Sequence, residues 1–452
     1  MYAISPDGQE VAYTSNIDEV EATSTNNEIF VVSINVGQVS NLPGIGSQVE
    51  NLRHVEPRKI PTSPGADTTP LYSPDGRYLA WRSQARAGFE ADKWRLLVQD
   101  RQSGKTRDLT EKFDRWVGSF TWCADSKCLV FTAEDHGESP IFIVALNQQP
   151  EEVTRLHADD LTLAPGSISV FFSRASIVAP TEIWRLGSVD SALLDSLRRR
   201  GNDVIVAKAE PTPVTHMNDT LLSQIDMPPL ESFTFKGAND EEVQGFMVKP
   251  PGFDPNKKYP LKFLIHGGPQ GAWGNEWTYR WNAELFAATG SYVVVMINFH
   301  GSTGYGQKFT DSISGDWGGK PYVDLMKGLD YVEKTFPFID KNREAALGAS
   351  YGGYMANWIL GHTNRFKCIV SHDGTFNTES VYGTTEELWF PEWEFKGPPW
   401  ENRELYRKFS PHLFADKFKT PTLVVHGQND YRLDVSEGFQ LFTTLQRLVI
   451  PS

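Results

Sequence analysis

A partial β-propeller followed by a mostly parallel, doubly wound α/β sheet is the fold the sequence predicts. Three observations predict it. A turn-and-strand unit recurs through residues 1–230; strands alternate with helical stretches through residues 231–452; and glycine-rich motifs sit where strands of the second half end. A chain of 452 residues is also too long for one ordinary core, so two or more domains are expected.

The repeat is built on a turn. Ile4-Ser5-Pro6-Asp7-Gly8 leads into the alternating stretch Glu10 to Thr14, and Tyr72-Ser73-Pro74-Asp75-Gly76 leads into Tyr78 to Arg82. Trp122-Cys123-Ala124-Asp125-Ser126 leads into Cys128 to Thr132 and keeps only the aspartate. Proline presets φ, Asp-Gly closes the turn, and a period-two strand follows. A further apolar strand comes after each copy, at Glu28 to Ile34, Trp94 to Gln99 and Ile141 to Leu146. The copies begin at residues 4, 72 and 122, which are 68 and 50 residues apart, a spacing for propeller blades with loop insertions. A weaker fourth unit is expected over Leu161 to Leu186, while Ser188 to Ala209, with Arg198-Arg199-Arg200, reads as a solvated insertion.

In the second half, apolar runs fall at Leu261 to Ile265, Tyr292 to Ile297, Ala345 to Leu347, Cys368 to Val370 and Thr422 to Val425. Helical stretches fall at Glu284 to Thr289, Val323 to Phe336, Tyr351 to His362 and Val435 to Leu448. Buried strands joined by helical crossovers imply a parallel sheet, whose chemistry lies outside the strands' carboxyl ends.

Composition removes several function classes. A net charge of −14 disfavours nucleic acid and anionic membrane as partners. No apolar run approaches the roughly 20 residues of a spanning helix. Cys123, Cys128 and Cys368 lack metal-ligand spacing, and neither a metal nor an organic cofactor is expected. Cys123 and Cys128 flank a short turn and could form a cross-hairpin disulfide or remain buried thiols. Met1 stands directly before a strand-and-turn pattern, so cytoplasmic and periplasmic or secreted locations both stay open, as does the oligomeric state.

Gly348-Ala349-Ser350-Tyr351-Gly352-Gly353 joins a strand to a helix. So sharp a junction crowds its neighbours, and glycines two residues either side relieve the crowding. The Ser350 hydroxyl is left exposed at a helix N-terminus, where a nucleophile belongs. The plainer alternative is a serine capping a helix after a glycine turn. His266-Gly267-Gly268-Pro269 ends an earlier strand, and its bare backbone can aim one N–H, with that of Tyr351, at the oxyanion of a tetrahedral intermediate. His266 itself precedes Ser350 and reads as structural. His426-Gly427-Gln428-Asn429-Asp430 follows the last strand, where the acid of a Ser-His-Asp triad belongs. Asp373 is a rival acid and reads as a structural loop residue. These junction motifs make the second half an α/β-hydrolase domain with Ser350 as nucleophile.

The elbow with Tyr351-Gly352-Gly353-Tyr354, the His-Gly-Gly-Pro loop, Asn298-Phe299-His300-Gly301-Ser302-Thr303-Gly304-Tyr305-Gly306 and Gly427-Gln428-Asn429-Asp430 resemble the prolyl oligopeptidase family of serine peptidases, in its branch of acylaminoacyl peptidases and dipeptidyl peptidase 5. The resemblance covers almost the whole chain, since that family joins a propeller to an α/β-hydrolase domain. It implies Ser350 as nucleophile, Asp430 as triad acid and the backbone N–H groups of Gly268 and Tyr351 as oxyanion donors. Arg432 matches an arginine that in some relatives holds a substrate carbonyl; read from the residues alone, it is a surface ion-pair partner.

Three departures stand out. Position 300 is histidine where many relatives have arginine, the propeller is short, and no histidine follows Asp430. The catalytic histidine is therefore expected beyond Ser452, and the chain is read as truncated at both ends, with a propeller-like domain at 1–230 and a catalytic domain at 231–452. The function expected is hydrolysis of short peptides near their N-terminus, as a dipeptidyl or acylaminoacyl peptidase. An esterase or lipase of the same fold, or a non-catalytic propeller that binds a partner, are the alternatives.

Overall fold

A computed structural model describes residues 1–34, 56–164, 166–187, 189 and 210–452. Four antiparallel meanders of four strands each fill the first half, every one ordered as the chain runs. They are β1–β4 (Tyr2–Ile4, Glu10–Asn16, Asn27–Ser33, Arg58–Lys59), β5–β8 (Asp67–Tyr72, Tyr78–Ser83, Arg95–Asp100, Thr106–Asp108), β9–β12 (Val117–Trp122, Cys128–Ala133, Ile141–Ala145, Glu151–Thr154) and β13–β16 (Ala158–Leu163, Val170–Ser176, Ala179–Leu186, Thr212–Pro213). The fourth sheet is thus as complete as the others, not a weaker unit.

The recurring turn forms as its residues dictate. Gly8 and Gly76 take φ of 69° and 71°, and the Ser5 and Ser73 hydroxyls each bond the aspartate two residues on at 2.6 Å. Where the third copy lacks glycine, Ser126 itself adopts φ 58°. The last strand of each meander escaped the sequence reading because it is short and largely polar; both residues of Arg58–Lys59 are exposed.

Each meander stacks its face on the next. Trp81 and Leu97 pack with Ala12 and Ile29; Ala80 and Val98 with Phe120 and Phe131; Val130 and Ile143 with Val170 and Phe172. Cys123 and Cys128 are joined as a disulfide across the β9–β10 turn. Of the expected solvated insertion only Val189 is described, and it is buried with the fourth sheet; the rest, including Arg198–Arg200, lies outside the described residues.

The second half is one seven-stranded sheet in the order β17-β18-β20-β19-β21-β22-β23. Its strands are β17 (Glu231–Lys236), β18 (Glu242–Val248), β19 (Tyr259–Ile265), β20 (Val293–Asn298), β21 (Ile339–Ala349), β22 (Cys368–His372) and β23 (Thr422–Val425). From β20 to β23 every neighbouring pair is parallel, whereas β17 and β18 add an antiparallel hairpin. In β17, Phe233 and Phe235 are buried while Thr234 and Lys236 face out, a period-two pattern that a search for wholly apolar strands passes over. All of β20 is buried because helices cover both faces of the sheet centre. The helices that the sequence reading expects are α1 (Ala283–Ala288), α2 (Lys320–Thr335), α3 (Tyr351–Leu360) and α4 (Ser436–Arg447); further helices, among them the ten-residue Pro399–Lys408, lie between β22 and β23. Among the described residues no helix is long and apolar enough to cross a membrane.

Polar contacts join the halves through the 84–93 segment of the second meander. Arg86 makes a two-pronged ion pair with Asp311 (2.8 and 2.9 Å), Phe89 stacks on Trp393 with ring centroids 4.3 Å apart, and Ala91 O accepts from Gln307 Nε2 at 2.9 Å. This docking carries Glu90 to the carboxyl edge of the large sheet.

Candidate active site

Ser350 sits between β21 and α3 with φ 58° and ψ −121°, a conformation costing a non-glycine residue about 1–3 kcal/mol. The surroundings enforce it. Ser350 N–H donates to His372 O at 3.0 Å and Ser350 O accepts from Tyr354 N–H at 2.9 Å. The neighbouring glycines leave no room for side chains: a Cβ on Gly348 would lie 2.2 Å from Gly352 O, and one on Gly352 would lie 2.2 Å from Ile265 O. Among the described residues, no side chain or backbone group hydrogen-bonds the Ser350 hydroxyl.

Gly268 takes φ 120° directly opposite this turn in the cavity, and a Cβ on its neighbour Gly267 would lie 3.1 Å from Ser350 Cβ. Tyr351 N–H opens α3, while its buried phenol donates to Trp317 O at 2.6 Å. His266 is fixed on both sides. Its Nδ1 donates to Gly267 O and its Nε2 then accepts from Ser302 Oγ, both at 2.8 Å, and the ring stacks on Phe299. Burial pushes its pKa down to about 4, so it is a neutral brace.

On the loop after β23, Asp430 Oδ1 accepts the N–H groups of Arg432 (3.0 Å) and Leu433 (2.9 Å), and Oδ2 has no hydrogen-bond partner among the described residues. One oxygen therefore holds the loop and the other is available. Asp373 ties two loops together, accepting from Gly427 N–H at 2.7 Å and pairing with His372 Nε2 at 3.1 Å. Ligand-type atoms of Asp373, His426 and Asp430 come within 4.8 Å of one another, but His426 Nε2 already donates to Leu433 O at 2.7 Å. The other such cluster contains Cys123 and Cys128, which are bonded to each other. The remaining histidines of this half are engaged elsewhere: His300 with Asp324 and Glu241, His362 with Trp358 O, and His412 with Ser410. None reaches Ser350.

Arg432 stands on the rim with its side chain 61% exposed, paired with Glu387 at 2.5 Å and Glu386 at 3.5 Å. It is the ion-pair partner that the residues alone suggest, and it also lines the cavity where a substrate carbonyl could reach it.

Ser350, Gly268, Tyr351 and Arg432 all face one cavity of about 790 Å³, and Asp430 lies on its bordering loop. Three groups in it were not foreseen. Trp273, Trp277 and Trp281 line one wall, at a four-residue spacing that follows the glycine loop and could have been noticed. Glu90 and Trp116 enter from the first half, and no local motif announces them. Glu90 opens into the cavity yet has protein around it; burial, then Glu387 and Glu394, push its carboxyl up to about 7.

Residues 277–452 match the prolyl oligopeptidase family. Dipeptidyl-peptidase 5 of Schizosaccharomyces pombe is 35% identical over 412 residues, covering 89% of this chain and 56% of the relative. A probable dipeptidyl-peptidase 5 of Emericella nidulans is 37% identical over 464 residues, covering 100% of this chain and 60% of the relative. The chain therefore spans somewhat over half the length of these relatives. Acylaminoacyl peptidase of Pyrococcus horikoshii superposes with a TM-score of 0.79 at 19% identity, covering 100% of this chain and 64% of that one. A puromycin-hydrolyzing peptidase of Mycobacterium tuberculosis does so with 0.68 at 17%, covering 100% and 65%. At these identities the likeness is one of fold.

Proposed function

We propose that this chain carries the site of a serine peptidase that hydrolyses short peptides near their N-terminus through an acyl-enzyme on Ser350. The observation that carries the reading is Ser350 itself, held at φ 58° with its hydroxyl on the floor of a large cavity. In this reading residues 231–452 are an α/β-hydrolase domain and residues 1–230 are propeller blades that cap it. Ser350 Oγ attacks the substrate carbonyl, and its proton passes to a histidine oriented by Asp430. All six histidines of the second half have other partners, and none of them hydrogen-bonds Ser350. The N–H groups of Gly268 and Tyr351 stabilise the oxyanion, and the acyl-enzyme is then released by water. Arg432 holds a carbonyl of the substrate.

The names of the relatives support dipeptidyl specificity, and the cavity favours it over acylaminoacyl. Glu90 and Glu387 give that region of the cavity carboxylates, and Arg432 pairs with Glu387 beside them. A free ammonium terminus would be matched there, whereas an acyl cap brings no positive charge to these carboxylates. The test is to incubate the full-length protein with matched peptides bearing free or acetylated N-termini and to identify products by mass spectrometry. Release of dipeptides from the free-terminus series, with denatured casein left intact, is the expected result. Rapid casein digestion would contradict the capping role, and preference for the acetylated series would reverse the specificity.

A further inference from the structure

Glu394, at the end of the short helix Trp389–Glu394, is 1% exposed and accepts three hydrogen bonds. Gln270 Nε2 (2.8 Å) and Ser314 Oγ (3.0 Å) donate to Oε1, and Trp317 Nε1 (2.7 Å) donates to Oε2. A buried carboxylate is costly unless such donors satisfy it, and once satisfied it fixes them rigidly. Two of the three donors lead straight to the groups that face the Ser350 carbonyl site.

The first path runs through Gln270. The backbone folds so tightly here that a Cβ on Gly268 would lie 2.5 Å from Gln270 N, so the place of Gln270 sets the place of Gly268. The second path runs through Trp317. Its carbonyl accepts the Tyr351 hydroxyl at 2.6 Å and its ring lies edge-on to that of Tyr351, with centroids 5.3 Å apart.

We propose that Glu394 is the positioning residue of the oxyanion hole, one buried carboxylate that holds Gly268 through Gln270 and Tyr351 through Trp317 and so sets the spacing of the two N–H donors. The inference rests on the reading of Ser350 as nucleophile. Glu394 touches no substrate; it acts through these two limbs. Because a displacement of about 1 Å can cost a hundredfold in rate, loosening this anchor should weaken transition-state binding while leaving ground-state binding alone.

The experiment uses the full-length protein and the variants Glu394→Gln, Gln270→Ala and their combination, with Ser350→Ala alongside. Gln270 is only half-buried, so its variant reports on the limb even where Glu394→Gln folds poorly. For Glu394→Gln, kcat should fall about 10–100-fold with KM within about twofold. Inhibition by a peptide aldehyde, which forms a tetrahedral oxyanion on the serine, should weaken by the same factor, and affinity for the product dipeptide should stay unchanged. Gln270→Ala should give a smaller loss of the same kind, and the combination should be no worse than Glu394→Gln alone. Wild-type kcat in both single variants, losses that multiply, or a parallel drop in product affinity would overturn the role. Turnover surviving in Ser350→Ala would overturn the reading of the site, and this inference with it; a dead Ser350→Ala beside unimpaired Glu394→Gln and Gln270→Ala would overturn only Glu394.

Discussion

The cavity floor and the cavity rim are held in different ways. On the floor, Ser350 is fixed by backbone contacts from three consecutive elements, and glycines at 348 and 352 exist because carbonyl oxygens occupy the space a side chain would need. At the rim, Glu90, Glu387 and Arg432 are set by side chains, and Glu90 reaches the site only because Arg86 grips Asp311 and Phe89 stacks on Trp393. The floor has one geometry or none. The rim can be loosened by degrees, so damage to the floor should abolish turnover while damage to the rim should change which substrates are taken and at what pH.

The largest effect is expected at the floor. Gly352→Ala places a Cβ against Ile265 O, a backbone atom that cannot step aside, and overpacking of this kind costs about 1–3 kcal/mol. Turnover should fall by more than about a hundredfold with a lowered melting temperature, because misplacing the nucleophile is amplified in the rate. An active Gly352→Ala enzyme would show that the floor is as tolerant as the rim.

Arg432→Ala comes next. If Arg432 holds a substrate carbonyl, kcat/KM should fall by about 1.5–3 kcal/mol, the worth of a charge-assisted hydrogen bond. With the Arg432 side chain itself exposed, its pairs with Glu387 and Glu386 are worth only about 0–1 kcal/mol, so the melting temperature should hardly move. A lower melting temperature with kinetics intact would make Arg432 a fold-supporting ion-pair partner.

The mildest test concerns pH. Burial raises the Glu90 carboxyl to about 7, so it gains a proton as pH falls through that value and loses its attraction for an ammonium terminus. The ratio of kcat/KM for a free over an acetylated peptide cancels the titration of the catalytic base. Protonation of the free peptide's own amine raises the ratio slightly over the same range, so the ratio should drop by several-fold between pH 7.5 and 6 in the wild type and should not drop in Glu90→Gln. A flat wild-type ratio would remove Glu90 from substrate recognition.

The same contrast explains what was legible beforehand. The elbow, the His-Gly-Gly-Pro loop and the Asp430 loop are short segments whose glycines and apolar strands encode their own geometry, so residue order alone locates them. The helical stretches of the large sheet were legible to within a few residues for the same reason, as at Tyr351–Leu360. Glu90 and Glu394 were not, because each gains its role from a partner distant in sequence: Glu90 from the docking of two halves, Glu394 from Gln270 and Trp317. In the β17–β18 hairpin, β17 was missed because exposed residues alternate with Phe233 and Phe235, and β18 because its buried apolar run, Gly245 to Val248, is only four residues long.

Ser350 as the nucleophile is the claim on which the rest depends, and covalent labelling tests it most directly. A fluorophosphonate probe applied to the full-length protein should modify one residue, identified by peptide mass spectrometry as Ser350, and Ser350→Ala should lose both labelling and peptide turnover by orders of magnitude. Labelling at another residue, or a Ser350→Ala enzyme within about tenfold of wild type, would contradict it.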